Sequence, residues 1–113
     1  MVRLTKKLKR SLYIEIDKTG AKDLINYLSK NLISINITHN DKKKEFIIFV
    51  KEGANNILIN DELVKLELDE EEKDFFLQRL HCCIQKNSFY PAELCEREMK
   101  NRTISIYVFY IDE

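Results

Sequence analysis

The sequence predicts a single α+β domain over residues 1–113, built from one antiparallel or mixed sheet of about six strands and two main helices. Short segments with a period of two residues, typical of half-buried strands, alternate with two longer segments whose apolar residues recur at helical spacing. The predicted order is strand, helix, four strands, helix, strand. With 113 residues and 44% hydrophobic side chains, the chain has enough apolar material for one core.

The first elements follow from their periodicity. Residues 11–17 alternate apolar and polar side chains, which predicts a half-buried strand. Thr19 is the predicted N-cap of the helix that follows. The apolar stripe of this helix consists of Ala21, Leu24, Ile25, Leu28 and Leu32. Residues 33–38 predict a second strand that ends near His39, before a polar turn at residues 40–44.

The later strands are marked by apolar runs. Because residues 46–50 are all apolar, the sequence predicts a central strand that is covered on both faces. Residues 57–68 predict a hairpin whose inward side chains are Val64, Leu66 and Leu68. Pro91 is predicted to open a short helical turn that runs through Met99. Residues 103–111 predict a last strand that is apolar on both faces.

A capping signal marks the second helix. Asp69 is followed three residues later by Glu72, which is typical of a capping box and predicts that a helix begins at Asp69. The helix is predicted to run to about Lys86, with Asn87 as its stop. Its predicted inner stripe consists of Phe76, Leu80, Cys83 and Ile84.

The charges are balanced in number but unevenly placed. Nineteen basic and nineteen acidic residues give a formal net charge of zero, which removes the bulk electrostatic argument for nucleic-acid binding. Residues 1–10 are basic and are interpreted as a flexible tail. The cations of this tail are Arg3, Lys6, Lys7, Lys9 and Arg10. We therefore do not expect nucleic acid as a partner. The alternative hypothesis is a nucleic-acid-associated or regulatory domain that uses the basic N-terminus.

The sequence also indicates a compartment. No apolar run approaches the roughly 20 residues needed to cross a bilayer, and no secretory signal pattern is found, so we expect a cytoplasmic protein that does not bind membranes. Three cysteines, two of them adjacent, do not resemble a disulfide framework.

Residues that could carry catalysis or bind a metal are few. His81, Cys82, Cys83 and Cys95 form the only cluster of metal-ligand types, but structural zinc sites use pairs separated by two to four residues. His39 and His81 could form an acid and base pair, yet nothing in the sequence places them together. The sequence therefore predicts no enzyme activity, no catalytic residue, no cofactor and no metal.

The acidic segment at residues 61–74 is the most polarised part of the chain, with eight carboxylates. Carboxylates in the first turn of a helix are explained by the helix macrodipole, at ~0.3 to 1 kcal/mol each. Helical geometry places Phe75 roughly 100° away from Phe76, on the side of the carboxylates. An exposed aromatic residue among charges is a common interface composition. The predicted partner-binding residues are Asp61, Glu62, Glu67, Glu70, Glu71, Asp74, Phe75 and Gln78.

A resemblance to a known group of proteins points the same way. The segment LYIEIDKTGAKDLINYL, residues 12–28, resembles the strand and helix that begin many small immunity proteins of bacterial polymorphic-toxin and contact-dependent growth inhibition systems. The resemblance implies a small cytosolic α+β protein that inhibits one cognate toxin, often a nuclease, by covering its active site. It implies a protein partner such as a cationic nuclease domain, and it assigns no functional residues.

Overall fold

A computed structural model of the chain describes residues 1–8, 10–30, 34–86, 92–99 and 101–111. Within these ranges lie eight strands and two helices, and more than half of the described residues are in strands. The strands are β1 (Val2–Leu8), β2 (Ser11–Ile16), β3 (Ile35–His39), β4 (Lys42–Val50), β5 (Ile57–Ile59), β6 (Leu63–Leu68), β7 (Ala92–Met99) and β8 (Arg102–Tyr110). The helices are α1 (Lys18–Lys30) and α2 (Glu70–Lys86).

All eight strands form one sheet in the order β5-β6-β4-β3-β1-β2-β8-β7. The pairs β1 with β3, β2 with β8 and β4 with β6 are parallel, and the other pairs are antiparallel. The two ends of the sheet meet where Asn56 bridges Glu98, whose N–H donates to the Asn55 carbonyl at 3.1 Å. The sheet is therefore nearly closed, like a barrel. The predicted α+β fold with a six-stranded sheet is wrong, because the sheet has eight strands and the structure is mostly β.

One additional strand comes from the basic N-terminus. Residues 1–10 were predicted to be a flexible tail, but Val2–Leu8 form β1, which lies between β2 and β3. Val2 and Leu4 are buried. Alternation of these apolar residues with Arg3 and Thr5 is the period-two signal of a strand, and the density of lysine and arginine hid it.

The other additional strand is β7. The predicted helical turn from Pro91 through Met99 is wrong for Ala92–Met99, which pair with β8 as an antiparallel strand. Pro91 itself lies outside the described residues, as does the predicted helix stop Asn87. Glu, Leu, Arg and Met favour helices intrinsically, so tertiary pairing with β8 overrides the local preference in this segment.

The core lies between one face of the sheet, called the inner face, and the apolar stripes of the two helices. Side chains on successive strand residues alternate between the faces. The inward positions of Val64, Leu66 and Leu68 are confirmed, as are the buried positions of Phe76 and Leu80. Ile84 is partly buried against the same core, whereas the side chain of Cys83 lies outside the described residues.

Helix α1 begins earlier than predicted. Asp17, and not Thr19, is its N-cap, because the Asp17 carboxylate accepts the Gly20 N–H at 2.7 Å and the Asp17 carbonyl accepts the Ala21 N–H at 2.8 Å. The predicted apolar stripe of α1 is confirmed for four of its residues, since Ala21, Leu24 and Leu28 are buried and Ile25 is partly buried. Leu32 lies outside the described residues.

Strand β4 is covered on one face only. The predicted central position is confirmed, because β4 lies between β6 and β3. Phe46 is buried but Phe49 is 48% exposed, so the predicted coverage of both faces is wrong. The turn before β4 is shorter than predicted and consists of Asn40 and Asp41, with φ values of 51° and 60°. A two-residue turn of this kind suits the twist of a β-hairpin.

Arg97 links β7 to the opposite end of the sheet. Its buried guanidinium donates from Nε to the Glu67 carbonyl on β6 at 2.8 Å, and from Nη1 to the Glu96 carbonyl at 2.5 Å. Its Nη2 pairs with the Glu72 carboxylate of α2. One side chain therefore joins β7, β6 and α2.

Neither of the two described helices is both long enough and apolar enough to cross a lipid bilayer.

Candidate protein-binding surface

The first turn of α2 is formed by the predicted capping box. The Asp69 N–H donates to the Glu72 carboxylate at 2.9 Å, and the Glu72 N–H donates to the Asp69 carboxylate at 2.7 Å. These reciprocal bonds satisfy two backbone donors at the helix start. Since Glu72 also pairs with Arg97, Asp69 and Glu72 serve the fold.

Phe75 and Phe76 have opposite environments. Phe76 is 0% exposed in the core, whereas Phe75 is 37% exposed on the outside of α2. The Arg79 guanidinium carbon lies 5.9 Å from the centroid of the Phe75 ring. This distance allows a cation–π contact, and Phe75 remains partly exposed.

Three exposed carboxylates share helix α2 with Phe75. Glu70, Glu71 and Asp74 are exposed on the same helix, as is Gln78. Within the described part of the chain these three carboxylates make no ion pair. We call Glu70, Glu71, Asp74, Phe75 and Gln78 the α2 surface. It combines a partly exposed aromatic ring, contacted by Arg79, with three exposed carboxylates.

Two of the predicted residues lie away from the α2 surface. Asp61 and Glu62 are exposed in the turn between β5 and β6, and α2 begins just after the other end of β6. Six strand residues at a rise of about 3.3 Å each separate these positions by roughly 20 Å. The structure therefore does not bring Asp61 and Glu62 together with Phe75.

Glu67 contributes to the closure of the sheet. Its carboxylate accepts the N–H groups of Asn55 at 3.2 Å and Asn56 at 3.1 Å, and it lies 3.8 Å from the Lys51 amine. The hydrogen bond from Asn55 is the largest cause that lowers the pKa of Glu67, with Asn56 and Lys51 acting in the same direction. We therefore assign Glu67 to the fold and not to the α2 surface.

A second exposed apolar group was not predicted as a site. Phe49 is 48% exposed and Leu58 is 52% exposed, both on the outer face of the sheet, opposite the core. The Lys65 amine lies 5.0 Å from the centroid of the Phe49 ring. The apolar run at residues 46–50 is the sequence signal for this group, but it indicated burial instead of exposure.

His39, His81 and Cys95 lie on three different elements, β3, α2 and β7. His39 Nδ1 lies 2.8 Å from the Lys44 amine. The pKa of His39 is lowered, mainly because the ring is partly buried and to a smaller extent because of the positive charge of Lys44. His81 is exposed on α2. Burial raises the pKa of the Cys95 thiol to about 12, so this thiol stays protonated and unreactive. The described residues contain no group of three or more His, Cys, Asp or Glu side chains that could hold a metal ion.

The basic N-terminal strand faces an acidic side chain. Arg3 Nε lies 3.4 Å from the buried Glu15 carboxylate, which also accepts the Thr5 hydroxyl at 2.6 Å. Tyr13 and Tyr107 lie beside them on the outer face, with ring centroids 5.2 Å apart. Because Arg3 is compensated by Glu15, this part of the sheet does not present the uniformly positive surface typical of nucleic-acid binding.

A scan against protein-family models and a search of curated protein sequences both give no match to the chain.

Proposed function

We propose that this protein is an immunity protein, which binds a cognate toxin through the α2 surface and inhibits it by covering its active site. In this proposal the protein has no catalytic activity of its own. The exposure of Phe75 among Glu70, Glu71 and Asp74, next to a fully buried Phe76, is the observation that carries the proposal. The resemblance of residues 12–28 to immunity proteins supports it.

Electrostatics suggest the class of toxin. A nuclease that grips phosphates presents a cationic cleft, and a surface with three carboxylates both attracts and covers such a cleft. The net charge of zero is compatible with this role, because steering depends on the local potential, and three exposed carboxylates lie on α2 against the one cation, Arg79, that contacts the Phe75 ring. Phe75 would supply the apolar anchor, since aromatic residues at the centre of an interface commonly dominate the binding energy.

Co-expression is the first test of the function. We expect the protein to rescue bacteria from growth arrest by a toxin domain encoded in the adjacent open reading frame. If the protein fails to rescue growth from that toxin, although it is expressed and folded, the proposed function is wrong.

The second test separates binding from stability at two neighbouring residues. Phe75→Ala should weaken toxin binding by ~2 kcal/mol or more with little change in unfolding, because the ring is an exposed anchor. Phe76→Ala should cost ~3 to 5 kcal/mol of stability, because it opens a cavity in the core. Binding is measured by calorimetry and unfolding by urea titration.

Phe49→Ala is the matched control, because it removes an exposed phenylalanine from a different surface and should leave toxin affinity unchanged. Lysine substitutions of Glu71 and Asp74 should mainly slow association, and more so at low salt. Equal losses of affinity in the Phe75 and Phe49 variants would contradict the assignment of the α2 surface as the contact.

A further inference from the structure

The outer face of β4, β5 and β6 carries an exposed apolar group, which we call the β4 patch and define as Ile47, Phe49, Leu58 and Lys65. The register places Ile47 and Leu58 on either side of Lys65 in one row across the three strands. Phe49 lies next to this row, with the Lys65 amine 5.0 Å from its ring centroid. Phe49 and Leu58 are the two most exposed large apolar residues in the described part of the chain.

The sequence of β4 suits a strand that is covered on both faces, but the fold covers only the inner face. On the inner face Phe46 is buried in the core, whereas Phe49 on the outer face is 48% exposed. No described helix or loop packs over the β4 patch. Phe49 on β4 and Leu58 on β5 lie on the same face, with Lys65 of β6 between the two strands. Exposed apolar side chains grouped in this way on one rigid sheet suit a surface that another protein chain covers.

The charges around the β4 patch indicate which chain covers it. Lys43 and Glu45 are exposed on the same face of β4, and Lys65 lies within the patch. This face therefore carries both signs of charge around an apolar centre. A two-fold symmetric contact needs a surface that is complementary to itself, and mixed charges satisfy this requirement.

We propose that the β4 patch is the interface of a homodimer, so that its occupant is a second copy of this chain. In the dimer the two copies bury Phe49 and Leu58 against each other across a two-fold axis. Lys65 of one copy faces Glu45 of its partner, which fixes the relative orientation of the copies. Removal of water strengthens the contact between the Lys65 amine and the Phe49 ring.

Sedimentation equilibrium over a series of protein concentrations is the test. We expect the mass to rise from 13.5 kDa towards twice this value as concentration increases. Phe49→Lys and Leu58→Lys should each raise the Kd of the dimer by about 30-fold or more, the loss typical of a central interface residue. Phe75→Lys, the matched control on the α2 surface, should leave the Kd unchanged. Circular dichroism checks that each variant is folded.

A charge exchange tests the orientation of the copies. Lys65→Glu should weaken the dimer, and adding Glu45→Lys in the same chain should restore it, because both contacts across the two-fold axis are then reversed together. A protein that stays at 13.5 kDa at every concentration, or a dimer that the Phe49 and Leu58 variants do not affect, would overturn the proposal. Loss of toxin binding in these variants without any change in mass would assign the patch to the toxin and also overturn it.

The dimer does not depend on the proposed immunity function. Growth rescue tests that function without reference to mass, and sedimentation of the purified protein tests the dimer without any toxin. The two proposals can therefore fail separately.

Discussion

Gly20 occupies a position in the first turn of α1 where a larger side chain does not fit. A Cβ atom built on Gly20 would lie 2.0 Å from the carbonyl oxygen of Met1 and 2.7 Å from its carbonyl carbon. Both atoms belong to the backbone, so no side-chain rotation relieves the overlap. Glycine at this position permits the close approach of the start of β1 to α1.

Replacing Gly20 by alanine should therefore lower the stability of the protein, whereas replacing a helical glycine by alanine usually raises it. Alanine within a helix normally stabilises by up to about 1 kcal/mol relative to glycine. Gly20→Ala should instead destabilise the protein by about 1 to 3 kcal/mol, because the backbone of Met1 has to move. Urea unfolding measures the change. Thr19→Ala, at the neighbouring exposed position, should change stability by less than about 0.5 kcal/mol. A Gly20→Ala variant as stable as the original protein would show that this approach is not required.

Phe75 and Phe76 show what residue-level reasoning achieves within one helix. Successive helical side chains point about 100° apart, so once α2 is known to begin near Asp69 the buried and exposed members of the pair follow. The exposures of 37% and 0% agree with this prediction. The same reasoning does not extend to Asp61 and Glu62, because their distance from α2 depends on the direction of β6.

At the scale of elements, α1 completes the hydrogen bonding of β4. The last pair between β3 and β4 joins Ile35 to Phe46, so Ile48 lies beyond the end of β3. The hydroxyl of Tyr27 on α1 takes the place of a strand partner there. It accepts the Ile48 N–H at 2.8 Å and lies 3.4 Å from the Ile48 carbonyl, to which it donates. Burial raises the pKa of Tyr27, so its hydroxyl keeps the proton that it donates.

Removal of this hydroxyl should weaken the contact between α1 and the sheet. Tyr27→Phe keeps the ring but leaves the Ile48 N–H without its partner, and we expect a loss of about 1 to 3 kcal/mol in the free energy of unfolding. Tyr107→Phe is the control, because no hydrogen bond from the Tyr107 hydroxyl occurs among the described residues. Its expected change is below about 0.5 kcal/mol. If both variants unfold at the same urea concentration, Tyr27 does not have this role.

At the scale of the molecule, β1 joins two halves of the sheet. On one side lie β5, β6, β4 and β3, and on the other lie β2, β8 and β7. Apart from β1, the described part of the sheet connects the halves through the bridge between Asn56 and Glu98 and through the hydrogen bond from Arg97 to the Glu67 carbonyl. Val2 and Leu4 of β1 are also buried in the core. The N-terminal segment is therefore part of the fold.

Deletion of residues 1–9 should prevent cooperative folding, because it removes the strand between β2 and β3. Leu4→Ala, a milder change in the same strand, should cost ~2 to 5 kcal/mol through the cavity that it leaves. Thermal unfolding followed by circular dichroism is the measurement. A deletion variant whose Tm falls by less than ~5 °C, which corresponds to about 1 kcal/mol in a domain of this size, would instead support a flexible tail.

Part of the structure of this protein could be predicted from short-range patterns in its sequence. The capping box of Asp69 and Glu72, the inward side chains of β6 and the opposite environments of Phe75 and Phe76 each depend on residues close together in one element. Periodicity and capping chemistry determine such features, and neighbouring strands do not alter them. The sequence thereby determined both helices and the α2 part of the candidate surface.

The other features, namely two of the strands, the exposure of Phe49 and the contacts of Glu67, were determined only by the tertiary structure. Val2–Leu8 and Ala92–Met99 are strands because β2, β3 and β8 pair with them, although their composition indicated a basic tail and a helical turn. Phe49 is exposed because no element among the described residues covers the outer face of β4. The carboxylate of Glu67 is occupied because closure of the sheet brings Asn55 and Asn56 to it. Strand pairing and burial depend on partners that are distant in sequence, so even the alternation at the start of β1 does not show which strands pair with it.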